Sequence, residues 1–246
     1  SIYLKDFVND TFFYGIKTGH NKAFIIDEKK KNELIEKDRN AAQIIKPLLA
    51  GKDIKRYEQP ISKKYIILSE RGIRIEDYPS VLNHLSEFKS ELEKKAGSGQ
   101  WYELQASPGD TSKFEKPKIM YPDISKKLNF IMDYHGHYSV NTVYNIGVDS
   151  IGLLGYLNSK VFLFYFQSVS NSIRGGYLRF FTEYLKECPI PQELNELEPV
   201  VKKIIDLKKQ NPSADTTELE NQIDQLVYQL YGLTEEEIEI IENELK

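Results

Sequence analysis

A single cysteine, Cys188, stands in the 246 residues, beside the Pro189-Ile190-Pro191 exit of an apolar stretch. An internal disulfide framework is therefore excluded, a reducing compartment fits, and the thiol is expected to be buried and inert. No run approaches the roughly 18 uninterrupted apolar residues of a membrane span, and the N-terminus lacks the basic-then-apolar pattern of a secretory signal. The expected location is cytoplasmic, with no membrane partner. Chemistry-bearing motifs are missing as well: no G-x-G-x-x-G after a strand, no phosphate loop ending in Gly-Lys-Ser/Thr and no G-x-S-x-G elbow. No cofactor is expected in this chain.

Two partial signals fail on their spacing. Pro122-Asp123 prompts a search for the acidic-x-Lys partner of a magnesium nuclease, but Asp133 is followed two residues on by His135 and Asp149 by Ile151. His135 and His137 would share one face of a strand, yet zinc takes about four ligands and no third is evident. A polar hairpin tip is the expected reading.

What is present describes an ordinary folded protein: 40% hydrophobic residues, 16 Tyr and 12 Phe, with 28% charged. The formal net charge of -4 argues at first against a nucleic-acid partner, but its distribution does not. Residues 193–246 hold 14 acidic and 5 basic side chains, and residues 1–192 hold 28 basic and 23 acidic. The main body can face DNA while the tail cannot. A chain opening on Ser1 is expected to be a piece of a longer protein.

Along the chain, β-like runs at 11–17 and 23–27 flank a Gly19-Asn21 turn and read as a hairpin, with Asp27 capping a charged helix. Segment 41–50 carries Ile44, Ile45, Leu48 and Leu49 on a helix-like face interrupted at Pro47. A central strand is expected over 64–69, running into the loop Arg71-Gly72-Ile73-Arg74, which is either a phosphate contact or a solvated loop. Val81, Leu82, Leu85, Phe88 and Leu92 mark an amphipathic helix over 79–96. A strand over 118–122 and a hairpin of 130–134 with 138–146, turning at His135-Gly136-His137, follow. Strands and helices mixed without regular alternation imply an α+β fold with a mixed sheet. Residues 1–192 form the body and 193–246 a helical appendage, in which Thr234 and Glu237 make a capping box. Its apolar stripes either pack on the body or dock a partner.

The chain is organised around 152–191. An apolar helix is followed by a polar turn and then by Arg174-Gly175-Gly176-Tyr177-Leu178-Arg179-Phe180. Paired glycines allow close backbone approach to a large partner, and interleaved arginines and aromatics suit phosphates and base edges. A plain Gly-Gly turn with solvated arginines is the alternative.

Several phrases together resemble the target-recognition region of type II G restriction-modification enzymes and adenine-N6 DNA methyltransferases. They are 13–19 leading to 21–27, Ile45-Lys46-Pro47-Leu48-Leu49-Ala50-Gly51-Lys52-Asp53-Ile54-Lys55-Arg56-Tyr57, Lys116 to Ile124, Leu157-Asn158-Ser159-Lys160, Gly175-Gly176-Tyr177, Pro189-Ile190-Pro191 and 223–234. Type I specificity subunits are similar in role. The resemblance implies sequence-specific binding of double-stranded DNA, with a methyltransferase core in cis or in trans. S-adenosylmethionine and magnesium would belong to catalytic domains absent from this chain. The core's Asn-Pro-Pro-Tyr motif is missing, since Asn211-Pro212 continues as Ser213-Ala214. The expected base contacts are Arg174, Tyr177 and Arg179. Lys126, Lys127, Arg71, Arg74 and His137 are expected at phosphates or in a groove, with Lys17, Thr18 and Asn21 as further contacts. The competing expectation is a protein-interaction module docking a methyltransferase or nuclease subunit through the C-terminal helices.

Overall fold

Every residue of Lys118–Pro122 is buried, which a strand achieves only when both faces of its sheet are covered. A computed structural model describes residues 1–97, 99–170, 172–173 (backbone only) and 175–245. In it, Lys118–Pro122 lies inside an antiparallel sheet ordered Phe12–Tyr14, Val143–Ile146, Lys118–Pro122, Ile131–Asp133. Ile119, Tyr121, Met132 and Ile146 face a large core shared with Leu153, Leu157, Phe162 and Phe166. Met120, Ile131 and Val143 face Leu49 and Ile54 on the other side. A second sheet runs Ile25–Asp27, Lys64–Ile67, Ile45–Leu49, Tyr138–Ser139, and its last pair is parallel. Phe24, Ile66, Val81, Leu85 and Phe114 fill the core beside it. The α+β class with mixed sheets is as the sequence implies.

The local pairings differ from expectation in five places. The runs at 11–17 and 23–27 are not a hairpin: Phe12–Tyr14 and Ile25–Asp27 belong to different sheets, and Asn21–Phe24 is a helical turn. Gly15 is responsible, because a Cβ there would stand 2.0 Å from the Val140 carbonyl oxygen, so only glycine lets the chain run against 139–140. Segment 41–50 is a short 3-10 turn followed by the strand Ile45–Leu49. Pro47 is tolerated because the parallel partner begins only at Leu48. The helix at 79–96 breaks after Pro79–Ser86, where Phe88 leaves helical geometry and its ring packs on His84 and His20.

The expected hairpin of 130–134 with 138–146 is also replaced. The Asp133 carboxylate accepts from the His135 and His137 amides at 3.0 and 2.9 Å and from His137 Nδ1 at 2.8 Å. That turn sends Tyr138–Ser139 across to the second sheet. Finally, the apolar helix is two helices, Ile151–Leu157 and Lys160–Val169. Asn158 spends its side-chain amide on the Phe130 backbone, and the Ser159 hydroxyl accepts from Phe162 N–H to start the second helix.

Glu198–Gln210, Thr217–Tyr231 and Glu235–Glu244 are helices, and the Thr234–Glu237 capping box is formed. Val200, Val201, Ile204, Ile223 and Val227 join the large core, so these stripes bury against the body. Cys188 is fully buried and burial pushes its thiol up to about 12, as an inert thiol requires.

A polar seam ties the last helices down. Lys160 N–H donates to Asp224 Oδ1 at 2.8 Å, Lys160 Nζ reaches Glu242, and Arg56 Nη2 lies 2.7 Å from Glu220 Oε2. Burial raises the Asp224 carboxyl to about 6, against the pull of Lys160 and Arg56. The folded chain therefore holds an extra proton between about 4 and about 6, and this group's contribution to stability falls as pH rises through that window. Asp224→Asn, which keeps the acceptor for Lys160, is expected to remove that dependence. Urea midpoints at pH 5 and pH 8 should differ less in the variant than in the parent, and equal differences would contradict the assignment.

Candidate nucleic-acid interface

Strand periodicity sets the surface around the glycine turn. Ser172–Ile173 and Tyr177–Arg179 pair antiparallel, and Tyr177–Arg179 pairs on its other edge with Ile124–Ser125. Side chains alternate, so Leu178 and Phe180 point inward while Tyr177 and Arg179 share the outer face. Phe180 anchors the ribbon, stacked on Phe166 at 4.7 Å and edge-on to Phe130. Gly175 and Gly176 have φ of +93° and +77°, a backbone that glycine adopts without strain.

Around that outer face the charges are set against rings. Lys126 Nζ sits 4.9 Å from the Tyr177 ring centroid. The Arg179 guanidinium carbon lies 4.6 Å from the Phe181 ring, and its Nε lies 3.7 Å from Asp123 Oδ1. Burial raises the Asp123 carboxyl while Arg179 pulls it back. Beside them runs an open groove of about 570 Å³ lined by Tyr14, Lys17, Asp123, Tyr144, Phe181 and Lys186, among others. Tyr14 is 47% exposed at its rim.

The structure thus brings four of the expected residues to one region: Tyr177, Arg179 and Lys126 at the ribbon, and Lys17 in the adjoining groove. Lys127 is exposed next to Lys126. Arg174 lies outside the described residues. Arg71 and Arg74 are exposed on the other lobe, where the Gly72 amide is held by Glu103 Oε1 at 2.7 Å and Arg74 lies 3.8 Å from Asp77. Thr18 is buried and donates to Asn21 Oδ1 at 2.6 Å, with Asn21 exposed. His137 is 6% exposed and its Nδ1 is engaged by Asp133, so its ring is inside the fold and not at a groove. Sequence reasoning missed Asp123, Phe181, Tyr14 and Tyr144. The Pro122-Asp123 step at the end of a strand was the one visible signal, and it pointed to a nuclease.

Among the described residues no group of three or more His, Cys, Asp or Glu is arranged to hold a metal, and no helix is long and apolar enough to cross a membrane. What distinguishes the surface is a basic, aromatic β-ribbon on an otherwise acidic chain. The model of the TaqI-like C-terminal specificity domain matches residues 46–190.

The chain belongs to that family. The resemblance to target-recognition regions of restriction-modification enzymes is thereby borne out. Type II methyltransferase M.BanIII of Aneurinibacillus aneurinilyticus is 24% identical over 242 residues, covering 89% of this chain and 41% of the methyltransferase. Type II methyltransferase M.PaeR7I of Pseudomonas aeruginosa is 26% identical over 236 residues, covering 91% and 38%. The chain spans about two fifths of the length of these relatives. The type IIL restriction-modification enzyme MmeI, solved in complex with DNA, superposes with a TM-score of 0.69 at 13% identity, covering 91% of this chain and 33% of MmeI. That similarity shows a fold shared with this part of MmeI.

Proposed function

We propose that this specificity domain binds double-stranded DNA and reads its sequence for a methyltransferase core joined to it in cis or in trans. The observation that carries the reading is the ribbon: a glycine-turned hairpin in a small three-stranded sheet, presenting Tyr177 and Arg179 on one face with Lys126 beside them. Lysines at its margin position the phosphates, and the ribbon side chains meet base edges. MmeI, which shares the fold, was solved with DNA, and this supports the same partner class. Methyl transfer from S-adenosylmethionine to adenine N6, and any magnesium-dependent cleavage, fall to domains outside this chain. Arg71, Arg74 and Asn21, on the other lobe, serve as outer phosphate contacts.

Salt titration tests this directly. If Lys126 and Lys127 each neutralise one phosphate, alanine at either position lowers the slope of log affinity against log salt by about 1 and weakens all duplexes alike. Slopes unchanged in both variants would remove the ribbon margin from the interface.

A further inference from the structure

Arg179 is held in an unusual way for an exposed arginine. Its Nε edge faces Asp123 Oδ1 at 3.7 Å and one guanidinium face lies on Phe181 at 4.6 Å. The side chain remains 44% exposed, and its Nη atoms make no hydrogen bond to any described residue. The fork is thus constrained from behind and presented outward.

The holder is itself fixed. Asp123 N–H donates to the Thr142 carbonyl at 2.9 Å, and the Asp123 carbonyl accepts from Phe180 N–H at 2.8 Å. Backbone on both sides sets where the carboxylate stands, and the Phe180 bond couples it to the strand bearing Arg179. Among the described residues, the buried Asp123 Oδ1 has no hydrogen-bond partner. A buried, unpartnered carboxylate oxygen is unfavourable in a fold that gains nothing else from it. Among the described residues, the cation that pairs with it is Arg179. Phe181 lies at the start of the helix Thr182–Lys186, so the stacking ring is also placed by regular structure.

We propose that Asp123 and Phe181 are positioning residues that pre-set the Arg179 fork to read guanine, resting on the assignment of this ribbon to the major groove. The chemistry follows from the donor pattern. A guanidinium fixed through Nε and one face offers two parallel Nη–H donors, and the base edge that accepts two in the major groove is guanine O6 with N7. The duplex read by this chain therefore carries a guanine at the position under Arg179. Asp123 acts through the arginine, and removing its charge has two opposite consequences. Discrimination at that guanine falls because the fork is released, while affinity for duplex lacking the motif does not fall, because one negative charge has left a surface that faces phosphate.

The test uses the 246-residue chain, its motif selected from random duplex, and the same duplex with 7-deazaguanine at each guanine in turn, which deletes only the N7 acceptor. The parent is expected to lose roughly tenfold in affinity at one guanine, a modest share of the discrimination available to a bidentate pair. Arg179→Lys, which keeps the charge but not the fork, should lose this sensitivity. Asp123→Asn and Phe181→Leu should reduce it to about twofold to threefold, with Asp123→Asn binding motif-free duplex at least as well as the parent. Damage to the fold would instead weaken every duplex together. Asp123→Asn with undiminished sensitivity, beside Arg179→Lys that has lost it, overturns the positioning role and leaves base reading by Arg179 intact. A base other than guanine at the Arg179 position, or loss in Asp123→Asn confined to a cytosine elsewhere in the motif, also overturns it. A parent chain that selects no motif defeats the underlying reading together with this inference.

Discussion

Replacing Arg179 with alanine is expected to weaken binding to the target duplex by about 1–3 kcal/mol and to relax one position of the recognised sequence. Both parts follow from where the side chain stands. It projects from the outer face of a ribbon whose inner face is locked by Phe180 on Phe166, so its removal leaves the scaffold in place. An exposed arginine that only neutralised phosphate would instead weaken all sequences uniformly, and one with no role would change nothing. Affinities measured against every single-base variant of the motif, at one stated salt concentration, separate these outcomes.

The largest effect on the fold is expected at Asp133. Lys118 Nζ lies 2.5 Å from Asp133 Oδ2, both side chains are inaccessible to solvent, and Nζ also meets the Phe114 carbonyl at 2.5 Å. Burial drives the Asp133 carboxyl upward, but the His137 hydrogen bond and the Lys118 ammonium outweigh it and hold it well below the usual carboxylate range. Burial likewise lowers Lys118, with Asp133 opposing. Asp133→Ala strands the ammonium and frees the His135 and His137 amides, a combination expected to cost about 3–5 kcal/mol. The double variant Lys118→Met with Asp133→Asn removes the charge and keeps an acceptor for the turn, so its loss should be clearly smaller. Denaturant midpoints decide: equal losses in the two variants would contradict the ion-pair account.

Asp133 matters to function through geometry. Its turn carries the chain from the strand Ile131–Asp133 to Tyr138–Ser139, which pairs with Leu48 and Leu49 of the second sheet. The two lobes are joined there. Lys17, in the groove by the ribbon, also sits at the junction, since its amide and carbonyl both bond to Ala106 across the second lobe. Loosening the Asp133 turn would therefore shift basic residues relative to one another as well as destabilise the chain.

What could be read in the sequence was whatever local chemistry decides. Lys118–Pro122 and Lys64–Ile67 are short β-branched or aromatic runs with strand character of their own. The Thr234–Glu237 box and the Gly232 stop need only neighbours a few residues away. At the candidate site, the alternation of Tyr177 and Arg179 about Leu178 is a matter of strand period alone, and the glycine pair that turns the ribbon is equally plain in the sequence. Pairing across long stretches was not legible. Phe12–Tyr14 finds Val143–Ile146 instead of the nearer run because Gly15 passes the Val140 carbonyl, an encounter between segments far apart in sequence. His137 looked like an available cation, and only the Asp133 turn reveals that its ring is already engaged. Asp123 was hidden for the same reason. Its side chain acquires a role only when Tyr177–Arg179 folds back beside Ile124–Ser125, and in sequence it stood simply as an acid after a strand.

Selection of bound duplexes from a random-sequence DNA pool, run at low and at near-physiological salt, tests the central claim most directly. The account predicts enrichment of one short motif that persists at the higher salt, because base contacts add to a phosphate term that salt removes. Binding that stays blind to sequence and vanishes with salt would contradict it, leaving the ribbon as an electrostatic surface and nothing more.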